Sequence, residues 1–254
     1  MAPSVIFLVA DYGNDPTETA IPWKVFKDAG FDITFATEHG KVPACDSRML
    51  TGWTGALLGA PREGKEAYKQ LVEAAAFQHP RSWTDASFSL KEYDCVVLPG
   101  GHDKGVRQII DSERIHQLLA EYFPLTKKPS SKCVAAICHG VQVLAASEYS
   151  IGDMAGKSVL ADVKTTALQG FHEQFIYYAT MLFLGDYYKT YGHGTPSVQE
   201  IVTKRLEKPE QFQGSLQFAP FVVEDDAFNY VSARFPPDAE EFARRVVEVL
   251  KKRA

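Results

Sequence analysis

The residues with the most chemical potential in this chain are Cys138 and His139, followed at once by Gly140. Lys132-Cys133-Val134-Ala135-Ala136-Ile137 precedes them with small and β-branched apolar residues, which read as a buried strand. Val141 to Ala146 reads as a helix. A strand that turns sharply into a helix lifts the turn residue to the tip of a sheet, the logic of a nucleophile elbow. The unpaired N–H groups of the helix start lie beside it and favour an anion. A thiol there is expected to have a depressed pKa and to carry appreciable thiolate. A lone cysteine is more often a small buried hydrophobe. The adjoining histidine, the glycine and the strand-helix setting favour a nucleophile.

Two further stretches join it. Tyr93-Asp94-Cys95-Val96-Val97-Leu98-Pro99 reads as a strand that ends in Gly100 and Gly101. Glycines at a strand end let backbone N–H groups approach a ligand closely and can form an oxyanion hole. Asp15 to Glu18 follows the first strand, Val5 to Ala10, and opens a helix over Thr17 to Ala29 that stops at Gly30. In a parallel sheet, ligands bind beyond the carboxyl ends of the strands, where these three stretches lie.

The elements that must position them alternate in type. Phe31 to Thr37 reads as a second strand, and Val106 to Phe123 as a helix before a Lys127-Lys128-Pro129 linker. Gly156 to Leu160 reads as loop and strand, and Thr165 to Gly185 contains a strongly aromatic helical run. Phe221 to Glu224 and Tyr230 to Ala233 form a hairpin pattern, and an amphipathic helix with Phe242, Val246, Val247 and Leu250 on one side closes the chain. Residues 49–89 break this rhythm and read as a helical insertion, either a lid or a packing appendage, with Trp53 and Trp83 as markers. The class expected is α/β, one domain over residues 1–254, with a mostly parallel sheet covered on both faces.

A formal net charge of -5 and the lack of a long basic run argue against nucleic acid. No apolar run is long enough to span a bilayer. The four cysteines, Cys45, Cys95, Cys133 and Cys138, form no zinc spacing, and Cys95 and Cys133 fall in strand patterns where packing is expected. Without a disulfide framework or a signal-peptide pattern, the expectation is a cytoplasmic protein. The sequence has no metal-ligand spacing and no phosphate-binding glycine fingerprint, so no metal and no cofactor are expected.

Glu18-Thr19-Ala20-Ile21-Pro22, Val96-Val97-Leu98-Pro99-Gly100-Gly101 and Ala135-Ala136-Ile137-Cys138-His139-Gly140 together resemble the DJ-1/PfpI (ThiJ/PfpI) superfamily, with the look of a fungal member. The resemblance implies a flavodoxin-like three-layer sandwich and a homodimer. It implies that Cys138 is the reactive cysteine, that Glu18 hydrogen-bonds it, and that Gly100 and Gly101 bind substrate as oxyanion donors. His139 matches the histidine of the larger protease-like, glyoxalase-like and heat-shock chaperone branches. In those branches an acid some thirty residues on orients the histidine. Glu173 falls in that region, with Asp186 as the lesser candidate, and His172 next door has no assigned role.

The resemblance leaves the activity open. A glutathione-independent glyoxalase of the glyoxalase III type would convert methylglyoxal to D-lactate through a Cys138 adduct. A hydratase, amidase or peptidase for a specific metabolite shares the scaffold, and so does a stress-protective chaperone or a redox sensor. The partner expected in the first two is a small-molecule substrate. An insertion shaping a pocket larger than methylglyoxal needs keeps the second reading in play.

Overall fold

The computed structural model describes residues 2–217 and 219–252. A seven-stranded sheet forms the middle layer in the order β3-β2-β1-β4-β5-β7-β6. Its strands are β1 (Ser4–Leu8), β2 (Asp32–Thr37), β3 (Arg81–Ser82), β4 (Cys95–Leu98), β5 (Cys133–Ile137), β6 (Val222–Glu224) and β7 (Tyr230–Ala233). Every neighbouring pair is parallel except the β6–β7 hairpin. The central strands are buried on both faces, so they read as continuous apolar runs. Side chains still alternate. Val5 and Phe7 of β1, with Cys133, Ala135 and Ile137 of β5, enter one core, while Ile6, Leu8, Val134 and Ala136 enter the other.

Helices cover both faces. On one side lie α1 (Pro16–Asp28), α3 (Arg62–Val72), α4 (Ala75–Gln78) and α10 (Ala239–Lys251). On the other lie α5 (Arg107–Ile110), α6 (Glu113–Tyr122), α7 (Gly140–Ala146) and α9 (Val198–Thr203). Two more helices, α2 (Gly52–Leu57) and α8 (Gly170–Leu184), stand beyond the carboxyl ends of the strands, where Leu58 and Ile176 pack with Tyr187 and Tyr188. This is the flavodoxin-like α/β arrangement, with the strand order reversing between β1 and β4. Among the described residues no helix is long and apolar enough to cross a membrane.

Several elements differ from their sequence reading. Residues 49–89 hold three helices, as expected, but also β3, which adds to β2 at the sheet edge. A two-residue strand is too short to show periodicity. Gly156 to Leu160 forms turns with an isolated bridge between Glu148 and Ser158 instead of a strand. The helix expected over Val106 to Phe123 is broken at Asp111-Ser112, where the Ser112 hydroxyl accepts from the Ile115 N–H and starts α6 afresh. α8 is apolar on its outer face too, with Phe171, Phe175, Tyr178, Leu182 and Phe183 exposed.

The start of α1 decides where Glu18 sits. Asp15 is the N-cap, its Oδ1 accepting from the Thr17 N–H at 2.7 Å and the Glu18 N–H at 3.0 Å, and Pro16 follows it in the first turn. Burial pushes the Asp15 carboxyl from 3.8 up to about 6, against the pull of the two capping N–H groups. A carboxyl raised in this way keeps in the folded state a proton that the unfolded chain has released. Its contribution to stability is therefore full below about pH 4 and is lost as pH rises through about 6. Asp15→Asn keeps a good capping acceptor but cannot titrate. Measured by urea midpoints, the variant should gain on wild type between about pH 4 and 6, by up to about 3 kcal/mol. A flat difference would show Asp15 ionised throughout.

Candidate active site

Loops after β1, β4 and β5 meet at the strand-order reversal and are tied to one another by backbone groups. Asn14 Oδ1 accepts from the Ala10 N–H at 2.9 Å, and Asn14 Nδ2 donates to the Gly100 carbonyl at 3.1 Å. The Asp15 N–H donates to the same carbonyl at 2.9 Å. This contact needs glycine on the other side. A Cβ on Gly100 would lie 2.7 Å from Glu18 Oε2 and 2.8 Å from Cys138 Cβ. Gly101 has φ +146°, and a Cβ there would lie 2.5 Å from the Gly13 carbonyl oxygen.

Cys138 sits at the tip of β5 with φ +59°, the one positive value for a non-glycine among the described residues. Such a conformation costs about 1–2 kcal/mol. It is held in place by the Cys138 N–H donating to the Ala233 carbonyl of β7 at 3.1 Å. The start of α7 packs so tightly on β4 that a Cβ on Gly140 would lie 2.1 Å from the Leu98 oxygen. The turn aims the thiol at a cavity of about 530 Å³. Its Sγ lies 3.3 Å from His139 Nδ1. On the opposite side, Glu18 Oε2 accepts from the Gly100 N–H at 3.0 Å. Glu18 Oε1 is sealed from solvent without a partner of full hydrogen-bond geometry, and the Cys138 thiol is the group close enough to interact with it.

The electrostatics keep this group of side chains uncharged. Burial, then the neighbouring Asp15, pushes the Glu18 carboxyl well above the ordinary range, so it holds its proton at neutral pH. Burial lowers His139 from 6.5 to about 3, helped by His102 and Lys189, and lowers His102 to about 4. Burial also pushes the Cys138 thiol up, with Glu18 and Asp15 adding to the rise and the His139 backbone N–H opposing it. The expected depressed thiol pKa is therefore corrected. α7 spans only seven residues, and its dipole does not outweigh burial among acidic neighbours.

The other candidates are placed as follows. Glu173 borders the cavity, but its carboxylate is taken by Lys189 Nζ at 2.7 Å and by the Val198 N–H at 2.8 Å. No hydrogen bond joins it to His139, so the expected acid-histidine pair is corrected to an acid-lysine pair that caps α9. Asp186 lies at the surface, paired with Lys104 at 2.7 Å. The N–H of Gly100 is engaged by Glu18, which corrects its expected role as an oxyanion donor. Gly101 borders the cavity, and among the described residues no acceptor takes its N–H. His172 also borders the cavity and stacks on Phe235 at 5.1 Å. Neither Trp83, which is fully buried, nor Trp53, which is half exposed, shapes the cavity; Met49, Leu58 and Pro61 do so from the insertion.

Sequence reasoning assigned no role to His102, Asp15 or Lys189. His102 borders the cavity, stacked on Tyr188 with centroids 4.4 Å apart. Its place directly after Gly100-Gly101 was the available signal. Asp15 was marked by the proline after it, the pattern of a helix start. Lys189 had no local signal. Among the described residues no cluster of three His, Cys, Asp or Glu is set to hold a metal ion.

Of the four cysteines, Cys138 borders the cavity, while Cys45, Cys95 and Cys133 are enclosed by packing. Mapping by mass spectrometry after limiting iodoacetamide should therefore find Cys138 labelled first. The labelling rate should keep climbing beyond pH 9, because only the thiolate reacts and burial delays its formation. A plateau below pH 7 would show a stored thiolate instead.

The family model for ThiJ/PfpI family-like proteins matches residues 9–212. An uncharacterised protein of Schizosaccharomyces pombe is 28% identical over 233 residues, covering 92% of this chain and 78% of the relative. The crystal structure of glyoxalase III from Candida albicans superposes with a TM-score of 0.65 at 16% identity, covering 97% of each chain. The rapid encystment protein of Francisella tularensis superposes with a TM-score of 0.70 at 16% identity, covering 98% of this chain and 99% of that one. At such identities the superpositions speak for the fold, and the family match speaks for descent: the chain belongs to the ThiJ/PfpI-like family.

Proposed function

We propose that this protein is a cysteine-dependent enzyme of the glyoxalase III type, acting on 2-oxoaldehydes without glutathione. The observation that carries the reading is the thiol of Cys138 held between a neutral imidazole at 3.3 Å and the protonated carboxyl of Glu18, at the edge of a cavity. A neutral imidazole accepts a proton, and a protonated carboxyl donates a hydrogen bond. A thiol between them is activated when substrate arrives.

In this scheme Cys138 sulfur bonds to the aldehyde carbon, and the carbonyl π pair moves onto oxygen beside the Gly101 N–H. The thiol proton passes to His139 and on to that oxygen, leaving a neutral hemithioacetal. His139 then takes the proton from the former aldehyde carbon and returns it to the neighbouring carbon through an enediol, while the hydroxyl proton moves from the first carbon's oxygen to the second's. The product is a thioester of the 2-hydroxy acid. Water cleaves the carbon–sulfur bond and restores the thiol, so the net change is addition of one water with no external oxidant or reductant. Glu18 stays protonated and donates toward sulfur and the developing charge.

Purified protein with its thiols reduced should convert methylglyoxal to D-lactate with no added glutathione, read by a stereospecific lactate assay. Cys138→Ala should abolish turnover, and His139→Ala should lower kcat by about a hundred- to ten-thousand-fold. No turnover of methylglyoxal or glyoxal by the reduced protein would overturn the glyoxalase reading. A hydratase or amidase using the same Cys138 would take its place.

We also assign the expected homodimer contact to the outer face of α8. A monomer's largest apolar patch is typically about 300–600 Å². Phe171, Tyr178, Leu182 and Phe183 are each exposed by 60 % or more, and covering them with a second copy would contribute toward the ~800 Å² per partner of a stable interface. The charged residue of α8, Glu173, points inward to Lys189, so two copies would meet without like charges. Sedimentation velocity should find a dimer, and Leu182→Glu should shift it to monomer. A monomeric wild type would refute the assignment.

A further inference from the structure

The cavity has a shape and lining that methylglyoxal does not explain. Its volume of about 530 Å³ is that of a site for a sizeable ligand. A small oxoaldehyde is the size of only a few waters, whose share of volume is about 30 Å³ each. The polar lining includes Cys138, His139, His102 and Gly101 at the thiol-bearing turn, and His172 and Glu173 on α8, where Glu173 is paired with Lys189. Apolar side chains supply much of the wall, among them Met49, Leu58, Leu168, Phe175, Ile176 and Phe235. Phe175 is two-thirds exposed and so stands at the mouth.

The lining also selects by charge. Among the described residues it contains no Lys or Arg. Lys189, just behind the wall, is already neutralised by Glu173 at 2.7 Å. Burial keeps neutral both His139, beside the thiol, and His102, which also lines the cavity. A carboxylate or phosphate entering the cavity would give up its water without gaining a countercharge. An apolar group would instead leave water for a matching surface.

Resting on the cysteine-addition reading, we propose that the preferred substrate is an uncharged carbonyl compound with a bulky apolar substituent, aryl or branched alkyl, seated between α8 and the insertion. The electrophilic carbon lies at Cys138, and the substituent lies against Leu58, Phe175 and Ile176. Small oxoaldehydes react at the same thiol but leave most of the wall uncovered.

The test reads the cavity without relying on turnover. Cys138 is alkylated with iodoacetamide, N-phenyl-iodoacetamide and iodoacetate, each rate divided by the rate with free glutathione. In each reaction the sulfur–carbon bond forms as iodide leaves and the thiol proton passes to solvent. The N-phenyl reagent should be favoured over iodoacetamide by at least about tenfold, since a well-filled apolar pocket discriminates by 10–200-fold for even one methylene. Iodoacetate should be disfavoured by a similar factor. Equal normalised rates, or a preference for iodoacetate, would overturn the inference. A second arm compares kcat/KM for phenylglyoxal and methylglyoxal. If neither turns over while the alkylation preference holds, the glyoxalase chemistry fails and the substrate class stands. If methylglyoxal turns over but the N-phenyl preference is absent, the chemistry stands and the substrate class fails.

Discussion

The contact on which the rest depends is the carboxyl of Glu18 shut away between the Gly100 N–H and the Cys138 thiol. A carboxylic acid is buried at reasonable cost only when it is neutral and hydrogen-bonded. Three separate parts of the chain have to supply those conditions. The Asp15 cap begins α1 at the right residue, the Gly100 backbone approaches where no side chain fits, and β5 delivers Cys138 in a left-handed turn. Loss of any one would leave a buried polar group without its partner.

The sheet makes the meeting possible. β1 and β4 are neighbours at the place where strand order reverses, and β5 lies next to β4. Their carboxyl ends therefore open toward a common space, with α2 and α8 standing around it. The far wall has its own support. Arg234 and Asp238, both fully buried, form a pair at 2.8 Å, and the Arg234 guanidinium lies 4.7 Å from the Phe235 ring. Arg234 also donates to the carbonyls of Ser215 and Gln217. A buried charge of this kind persists because its donors and acceptors are all matched. Phe235 is thus held by Arg234 and His172, which fixes its ring at the cavity wall.

The electrostatic character of the site follows from enclosure. A thiol at a strand-helix turn is a thiolate when cations or a long helix dipole face it. Here the dominant effect is burial, the His139 imidazole beside the thiol is neutral, and the charges that act on Cys138 come from the acids Glu18 and Asp15. Burial drives acid, thiol and imidazole alike toward their neutral forms. The same enclosure leaves the cavity without a free cation to meet an anionic ligand.

Much of this was legible in the sequence. The apolar runs of β1, β4 and β5, the helix opening at Thr17, Gly100-Gly101 and the Cys138-His139-Gly140 break are local patterns, so period and turn chemistry locate them without knowledge of the fold. The alternation of strand and helix likewise implied a parallel sheet, and with it the end of the sheet where chemistry belongs. What sequence alone could not decide concerned partners distant along the chain. Glu173 falls where the resembled branches carry an acid for the histidine, yet Lys189 and the start of α9 claim its carboxylate, because packing of α8 brings them nearer. β3 forms because the edge of β2 is open to it, not because Arg81-Ser82 prefers a strand. The direction of the Cys138 pKa was likewise beyond reach, since it depends on how completely the folded chain excludes water from the thiol and its acidic neighbours. Residue types and spacing determined which groups were available for chemistry; burial and three-dimensional neighbourhood decided their charge and their partners.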